Sequence, residues 1–538
     1  MGDRRSTPLS ARERYYKRRF RRMRRLAFAS LLLTVFICAS MAYPVFAPTS
    51  NLAGEYPVTA SLDITQSAPQ TPISTPEPVP TKVAGEKTVI PLPTQGQIVP
   101  PSENNYLLYY TIAGDSLPVV SLHFGVDIND ISSPQEVDPQ GLIPPNQLLI
   151  IPNNLSETSS KTKLLPDSEI TYSPSTIDFD INAFVDEAGG YLSTYEQWLQ
   201  STGWTSGADV IAMVARDYSV NPRLLLAYLE FNAGWVYDTP TDSTALIYPM
   251  GCIDDGKKDL YLQAAWFASN VMEGYYGWRE GRRLVINFSD EQTLRIAPEL
   301  NAGTVGLMNS FSYLYDFNEW AQKLYGEENF LTFYESMFDS PWIRAQSVEP
   351  LIPADTVQPE MILPFEINKV WAFTGGPHAA WSAADVWAAI DFAPSSDKTG
   401  CHESNEWVVA SMAGLVVRSG NGVVVIDQDG DGFEQTGWTM LYLHIATKDR
   451  VPLGTIVEVG DRIGHASCEG GRSTGTHVHL ARRYNGEWVP ADGPLPFTLS
   501  GWQAKAGVKP YQGWLIKDSE IIYANTASTY ETQITRQD

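Results

Sequence analysis

Beyond its first 25 residues this chain is poor in positive charge. Those residues hold eleven Arg or Lys against Asp3 and Glu13, a net of +9, whereas the whole chain carries −24. The remainder is therefore at −33, which excludes a nucleic-acid partner, because phosphate contact needs a basic face. Cysteine is scarce too. Of four, Cys38 lies in an apolar run, leaving Cys252, Cys401 and Cys468. In an oxidising compartment Cys401 and Cys468 can close a disulfide with Cys252 left over; three unrelated thiols is the other reading. Histidine is equally sparse, yet six of the seven fall between residues 378 and 479. That clustering directs the functional reading.

At 538 residues the chain exceeds what one core serves, so about three domains are expected. The basic segment 1–25 abuts an uncharged run, Leu26–Ala47. About 20 apolar residues can cross a bilayer with the basic end held in the cytoplasm, giving a single-pass anchor. A cleaved signal peptide is the rival, since Ser40-Met41-Ala42 and Val45-Phe46-Ala47 both end in small residues. Either way, the chain beyond residue 48 is expected to be extracytoplasmic: membrane-anchored in one case, secreted in the other. Residues 48–104 are rich in Pro, Ser, Thr and Gln and read as a semi-extended linker, and residues 154–178 as a second.

The fold expected is a multidomain α+β chain: a small βααβ module over 105–153, an all-α middle domain over 179–350, and a mainly antiparallel β-sheet domain over 360–525, with a tail at 526–538. In the first, Tyr110-Thr111, Gly114-Asp115-Ser116-Leu117, Phe124-Gly125-Val126 and Gln147-Leu148-Leu149-Ile150-Ile151-Pro152 come in an order that resembles a LysM module. The resemblance implies binding to peptidoglycan glycan, with Gly114, Asp115, Ser116 and Leu117 at the glycan site. A βααβ spacer without ligand is the alternative.

In the middle segment Ser206 is placed to cap one helix, and Asn221-Pro222 supplies a cap and an N1 proline for the next. Tyr218 to Leu226 followed by Ala233-Gly234-Trp235 resembles the entry helices of lysozyme-like lytic transglycosylases. Those enzymes carry an acidic glutamate where this chain has Asn232, and an amide cannot act as a general acid. The segment thus reads as a non-catalytic glycan cradle, with Glu230 as a displaced acid the alternative.

From Phe365 onward, short β-branched runs alternate with Gly and Asn-Gly turns, and Gly454–Gly464 reads as a further hairpin. The histidines fall among them: His378 in Gly-Gly-Pro-His-Ala-Ala-Trp, His444 after Leu-Tyr-Leu, and the pair His477-Val478-His479, whose spacing on a strand puts both rings on one face. Asp391 joins them in Ala-Ile-Asp-Phe. Neutral imidazole and carboxylate are the ligands a catalytic zinc takes, three from protein with one position open.

These motifs resemble the LytM-type (lysostaphin-like) zinc endopeptidases, and more closely their beta-lytic branch. The commoner branch places its first histidine four residues before the aspartate, where this chain has Trp387. The beta-lytic branch takes it from Gly-Pro-His-x-x-Trp, thirteen residues before, as His378 stands to Asp391. The resemblance implies that His378, Asp391 and His479 hold one zinc. It also implies that His444 and His477 share the proton transfers, one taking a proton from water and the other stabilising the oxyanion. The implied function is hydrolysis of peptide cross-links in peptidoglycan, glycyl bonds in particular. A catalytically silent wall-binding regulator and a glycan-cleaving hydrolase acting through the middle domain are the rivals. Finally, Asp427-Gln428-Asp429-Gly430-Asp431-Gly432 opens like a calcium loop, although Trp438 stands where the twelfth-position glutamate belongs; a structural Ca²⁺ and a plain polar turn are both open.

Overall fold

The computed structural model describes residues 106–537 apart from 156 and 383–385, so the basic segment, the Leu26–Ala47 run and the first linker lie outside the described residues. Among the described residues no helix is long and apolar enough to cross a membrane.

The first unit pairs β1 (Tyr106–Tyr110) antiparallel with β2 (Leu148–Pro152), and α1 (Leu117–Phe124) packs on them. Tyr109, Val120, Phe124, Leu149 and Ile151 form its small core. The expected second helix is a single 3-10 turn, Ile128–Asp130, too short to bury a face. Its α1 end is welded to the middle domain. His123 stacks on Trp278 with ring centroids 3.6 Å apart, Arg279 donates to the Ala113 carbonyl at 2.5 Å, and Arg295 to the His123 carbonyl at 2.6 Å.

The middle domain is helical: α2 (Ile181–Ala188), α3 (Gly207–Tyr218), α4 (Pro222–Ala233), α5 (Ser243–Ile247), α6 (Asp259–Arg279), α7 (Ala302–Ser312), α8 (Phe317–Tyr325), α9 (Phe330–Phe338) and α10 (Pro341–Ala345). Ser206 caps α3 by accepting from the Asp209 amide, and Asn221 caps α4 with Pro222 in its first turn. It is not all-α, however. Hairpins β3 (Glu196–Leu199) with β4 (Gly203–Ser206), and β5 (Val285–Asn287) with β6 (Thr293–Arg295), decorate it. The stretch read as a second linker is also folded. Leu164, Leu165 and Ile170 are buried in the helical core, and Asp167 accepts from the Gly303 amide at 2.7 Å. Ser/Thr/Pro composition suggested a spacer, but three apolar side chains at these positions suffice to bury it.

The C-terminal domain is built on a nine-stranded antiparallel sheet. Its strands are β7 (Val370–His378), β8 (Ala389–Pro394), β10 (Gly414–Gly420), β11 (Val423–Asp427), β12 (Trp438–Leu443), β13 (Ile456–Val457), β15 (Val478–Tyr484), β16 (Glu487–Trp488) and β21 (Gln533–Thr535). The order is β13-β10-β11-β12-β15-β8-β7-β21, with β16 on β15. Beside it lie the pair β9 (Trp407–Val409) with β14 (Arg462–His465) and a four-stranded sheet, β17 (Thr498–Leu499), β18 (Trp502–Ala506), β19 (Gly513–Lys517) and β20 (Glu520–Tyr523). The hairpin expected at Gly454–Gly464 does not form. β13 pairs with β10 and β14 with β9, because the two short strands find partners in different sheets.

Alternation along the central strands sorts the faces. Val424, Ile426, Met440, Tyr442, Leu480 and Ile390 fill the domain's own core. Their neighbours Val423, Val425, Leu441, Leu443, Ala481 and Ala389 pack into the helical core instead. The sheet is therefore buried on both faces. Arg418 bridges Asp217 and Glu434 at 2.5 and 2.8 Å across this joint, and Arg279 joins Asp167 and Glu487 at 3.0 and 3.2 Å.

Candidate metal centre

His479 and Asp391 lie opposite each other on neighbouring strands β15 and β8, and His378 ends β7. Their ligand atoms converge. His378 Nε2 is 3.0 Å from His479 Nδ1 and 3.3 Å from Asp391 Oδ1, and His479 Nδ1 is 3.2 Å from Asp391 Oδ1. A tetrahedral zinc with bonds of about 2.0–2.1 Å holds its ligands about 3.3 Å apart, so the triangle has the size the ion needs. All three residues are buried, and Asp391 Oδ1 has no hydrogen-bond donor despite its burial, as a metal-ligating oxygen should.

Each ring is oriented by a carbonyl behind it. His378 Nδ1–H donates to Gly376 O at 2.8 Å, freeing Nε2, and His479 Nε2–H donates to Ala380 O at 2.9 Å, freeing Nδ1. Burial opposes ionisation of Asp391, but His378 and His477 outweigh it and hold the carboxyl well below the usual range. Gly375 makes room for that carboxylate, since a Cβ there would lie 2.6 Å from Asp391 Oδ2. His378 is the last residue of its strand.

The other two histidines stand beside this triangle. His444 comes directly after β12 in the left-handed region, φ +68, held by Ser467 donating its amide and hydroxyl to the His444 carbonyl at 2.7 and 2.9 Å. Its Nδ1–H donates to Glu469 O at 2.8 Å, and burial, helped by His477, pushes its pKa down to about 4. His477 donates Nδ1–H to Gly475 O at 2.8 Å, its ring lies 4.5 Å from that of His444, and its Nε2 is 3.7 Å from Asp391 Oδ2. Thus four histidines scattered over a hundred residues of sequence share one face with the aspartate.

The Cys401–Cys468 disulfide forms, with Cα atoms 5.7 Å apart, and Cys252 is free. It sits immediately before Glu469, the carbonyl that orients His444, and near Thr476, whose amide donates to Gly400 O at 3.2 Å just before His477. Sequence reading missed two contributors. Tyr511 stacks on His378 with centroids 4.1 Å apart, and Gly375 admits the aspartate. Gly375-Gly376 was a visible signal; the Tyr511 loop lies over a hundred residues from His378 and carried none.

The remaining candidates fall elsewhere. Asp115 is buried, accepting from Tyr109 O–H and the Ile112 amide at 2.7 and 2.8 Å, and Ser116 is buried beside it. Gly114, φ +86, lies so close to Arg279 that a Cβ would fall 1.2 Å from Nη1, and Leu117 is half-buried. Glu230 accepts from the Val236 and Tyr237 amides at 2.7 and 3.0 Å, closing the turn after α4. Asp427, Asp429 and Asp431 converge in the β11–β12 turn, away from the histidines.

The His378–Asp391–His479 triangle has the donor types and size that suit a zinc ion, and two further imidazoles stand beside it. Comparison with known proteins agrees in class. Residues 389–491 match the family model "Peptidase family M23", and residues 163–352 match "LasA, N-terminal domain". Protease LasA of Pseudomonas aeruginosa is 24% identical over 293 residues, covering 51% of this chain and 66% of that protein. Beta-lytic metalloendopeptidase of Achromobacter lyticus is 27% identical over 155 residues, covering 28% of this chain and 38% of that protein. The chain thus spans less than two thirds of the length of either relative. Among solved structures, the M23 metalloprotease pseudoalterin is 21% identical over 31% of this chain and 96% of that one, with a TM-score of 0.26. The matches support a zinc-dependent endopeptidase, and the middle segment is similar to the LasA N-terminal domain.

Proposed function

We propose that this protein is an extracytoplasmic zinc metalloendopeptidase that hydrolyses peptide cross-links of peptidoglycan, at glycyl bonds in particular. The observation that carries the proposal is the buried His378–Asp391–His479 triangle with His444 and His477 beside it. The wall substrate and the glycyl preference rest on the resemblance of the four motifs to the LytM-type enzymes. The LysM-type anchoring role of residues 105–153 rests on motif order alone, and the membrane or secreted disposition on residues 1–47.

Zinc held by His378, Asp391 and His479 would lower the pKa of a water towards about 7 and polarise the scissile carbonyl. His444 is assigned as the proton acceptor: its Nδ1–H is committed to Glu469 O, which leaves Nε2 to accept. His477, the more open of the two, donates from Nε2 to the developing oxyanion and passes that proton to the leaving amine. Burial of the cluster excludes bulk water and strengthens each of these interactions. Glu230, spent on two backbone amides, offers no support for the glycan-cleaving rival.

The test is zinc content and amine release from purified peptidoglycan by the full chain, beside His479→Ala. Bound zinc with new free amines in the parent, both lost in the variant, supports the reading. Zinc without amine release from several wall types would instead favour the silent wall-binding regulator.

A further inference from the structure

The β11–β12 turn carries a second convergence of ligand atoms, unrelated to the histidines. Asp427, Asp429 and Asp431 each offer a carboxylate oxygen, all within 4.8 Å of one another. One oxygen of each is already used within the turn. Asp427 Oδ2 accepts from the Gly432 amide at 2.9 Å, Asp429 Oδ1 from the Asp431 amide at 3.3 Å, and Asp431 Oδ1 from the Phe433 amide at 2.9 Å. Asp431 Oδ2 also accepts from the Thr436 hydroxyl at 2.7 Å, whereas Asp427 Oδ1 is left without a donor.

Asp427 supplies the independent observation. It is fully buried, yet its Oδ1 has no hydrogen-bond partner. A buried carboxylate oxygen without a donor is costly, and clustering with two further carboxylates adds repulsion. Asp391 Oδ1 in the zinc triangle shows the same signature, a buried carboxylate oxygen lacking a donor beside two more ligand atoms. In the turn, however, all donors are oxygen.

We propose that Asp427, Asp429 and Asp431 form a structural Ca²⁺ site, and that the ion locks the turn presenting Glu434 to the domain joint. Converging carboxylates suit a hard ion of flexible coordination. Zinc prefers nitrogen and sulfur, and Mg²⁺ demands a strict octahedron and keeps its waters. With Trp438 in place of the bidentate glutamate, water must complete the shell, which puts affinity among the weaker calcium modules. Glu434 comes directly after the loop and accepts from Arg418 at 2.8 Å and Arg483 at 3.3 Å, and Arg418 also holds Asp217 of α3. Order in the turn thus reaches the contact between sheet and helices.

The experiment uses the full chain, stripped of divalent ions and reloaded with one equivalent of zinc, then titrated with Ca²⁺ by calorimetry and followed by thermal melting. One equivalent of Ca²⁺ should bind, raising Tm with Ca²⁺ concentration. Asp429→Asn and Asp431→Asn, both at exposed positions, should weaken Ca²⁺ binding by roughly tenfold or more. They should keep the zinc and match the parent's Tm in Ca²⁺-free buffer. No binding up to about 10 mM, well above the weak extracellular range, overturns the proposal. So does binding that both variants retain, or an equal shift with Mg²⁺. None of these outcomes depends on peptidase activity.

Discussion

His479 Nδ1 faces Asp391 Oδ1 at 3.2 Å across two adjacent antiparallel strands, so the His378–Asp391–His479 triangle is anchored on ladder register. On the same face, Ala481 and Ala389 pack against the helical domain. A one-residue slip of β15 would turn both His479 and Ala481 away.

Removing a ligand should therefore separate metal from fold. Asp391→Asn and His479→Ala are expected to lose zinc, whereas His444→Gln and His477→Gln should keep it and lower kcat by roughly 10²–10⁴-fold. Metal analysis beside turnover distinguishes the pairs. Zinc retained in Asp391→Asn would break the ligand assignment.

The disulfide closes a loop of 67 residues around β9 to β14. Loop-closure entropy of that span predicts that Cys401→Ala/Cys468→Ala loses about 4 kcal/mol in denaturant unfolding. Because the bridge adjoins Glu469 and so the His444 ring, the variant should also lose turnover while retaining zinc. Unchanged activity would show that the His444 carbonyl partner is held without it.

Acid should loosen the first unit from the middle domain. Burial against Trp278 lowers His123 to about 4, from an ordinary 6.5. The unfolded chain then binds a proton that the folded chain refuses, so this stabilisation is present above about pH 6.5 and is lost as pH falls towards about 4, amounting to roughly 3 kcal/mol. Asp115, raised to about 6 by burial, titrates in the opposite sense, so the readout is the difference between parent and His123→Phe. Stability–pH curves that remain parallel between the two proteins would exclude His123 as the cause.

Glu230→Gln should leave wall lysis unchanged and lower stability only, by about 1–3 kcal/mol, since its carboxylate serves the Val236 and Tyr237 amides. Loss of released sugar ends in this variant would reinstate the glycan-cleaving reading.

Much of this was legible in residue order. The caps at Ser206 and Asn221, the strand alternation around Val424 and Leu441, and the grouping of His378, Asp391 and His479 each depend on short-range pattern or motif spacing. The folded stretch at Leu164–Ile170 was hidden because its burial depends on α7, over a hundred residues away. The separate partners of β13 and β14 were hidden because strand pairing is non-local.

The sequence alone determined which chemistry is present: sparse histidines clustered in the last third of the chain, an excess of acidic side chains beyond residue 25, and two cysteines able to bridge. Tertiary structure decided where that chemistry points. Register placed Asp391 opposite His479, carbonyls of Gly376, Ala380 and Glu469 selected the ring nitrogens, and Tyr511 came over His378 from a distant hairpin. Such choices need contacts between chain segments far apart in sequence, and no local propensity encodes them.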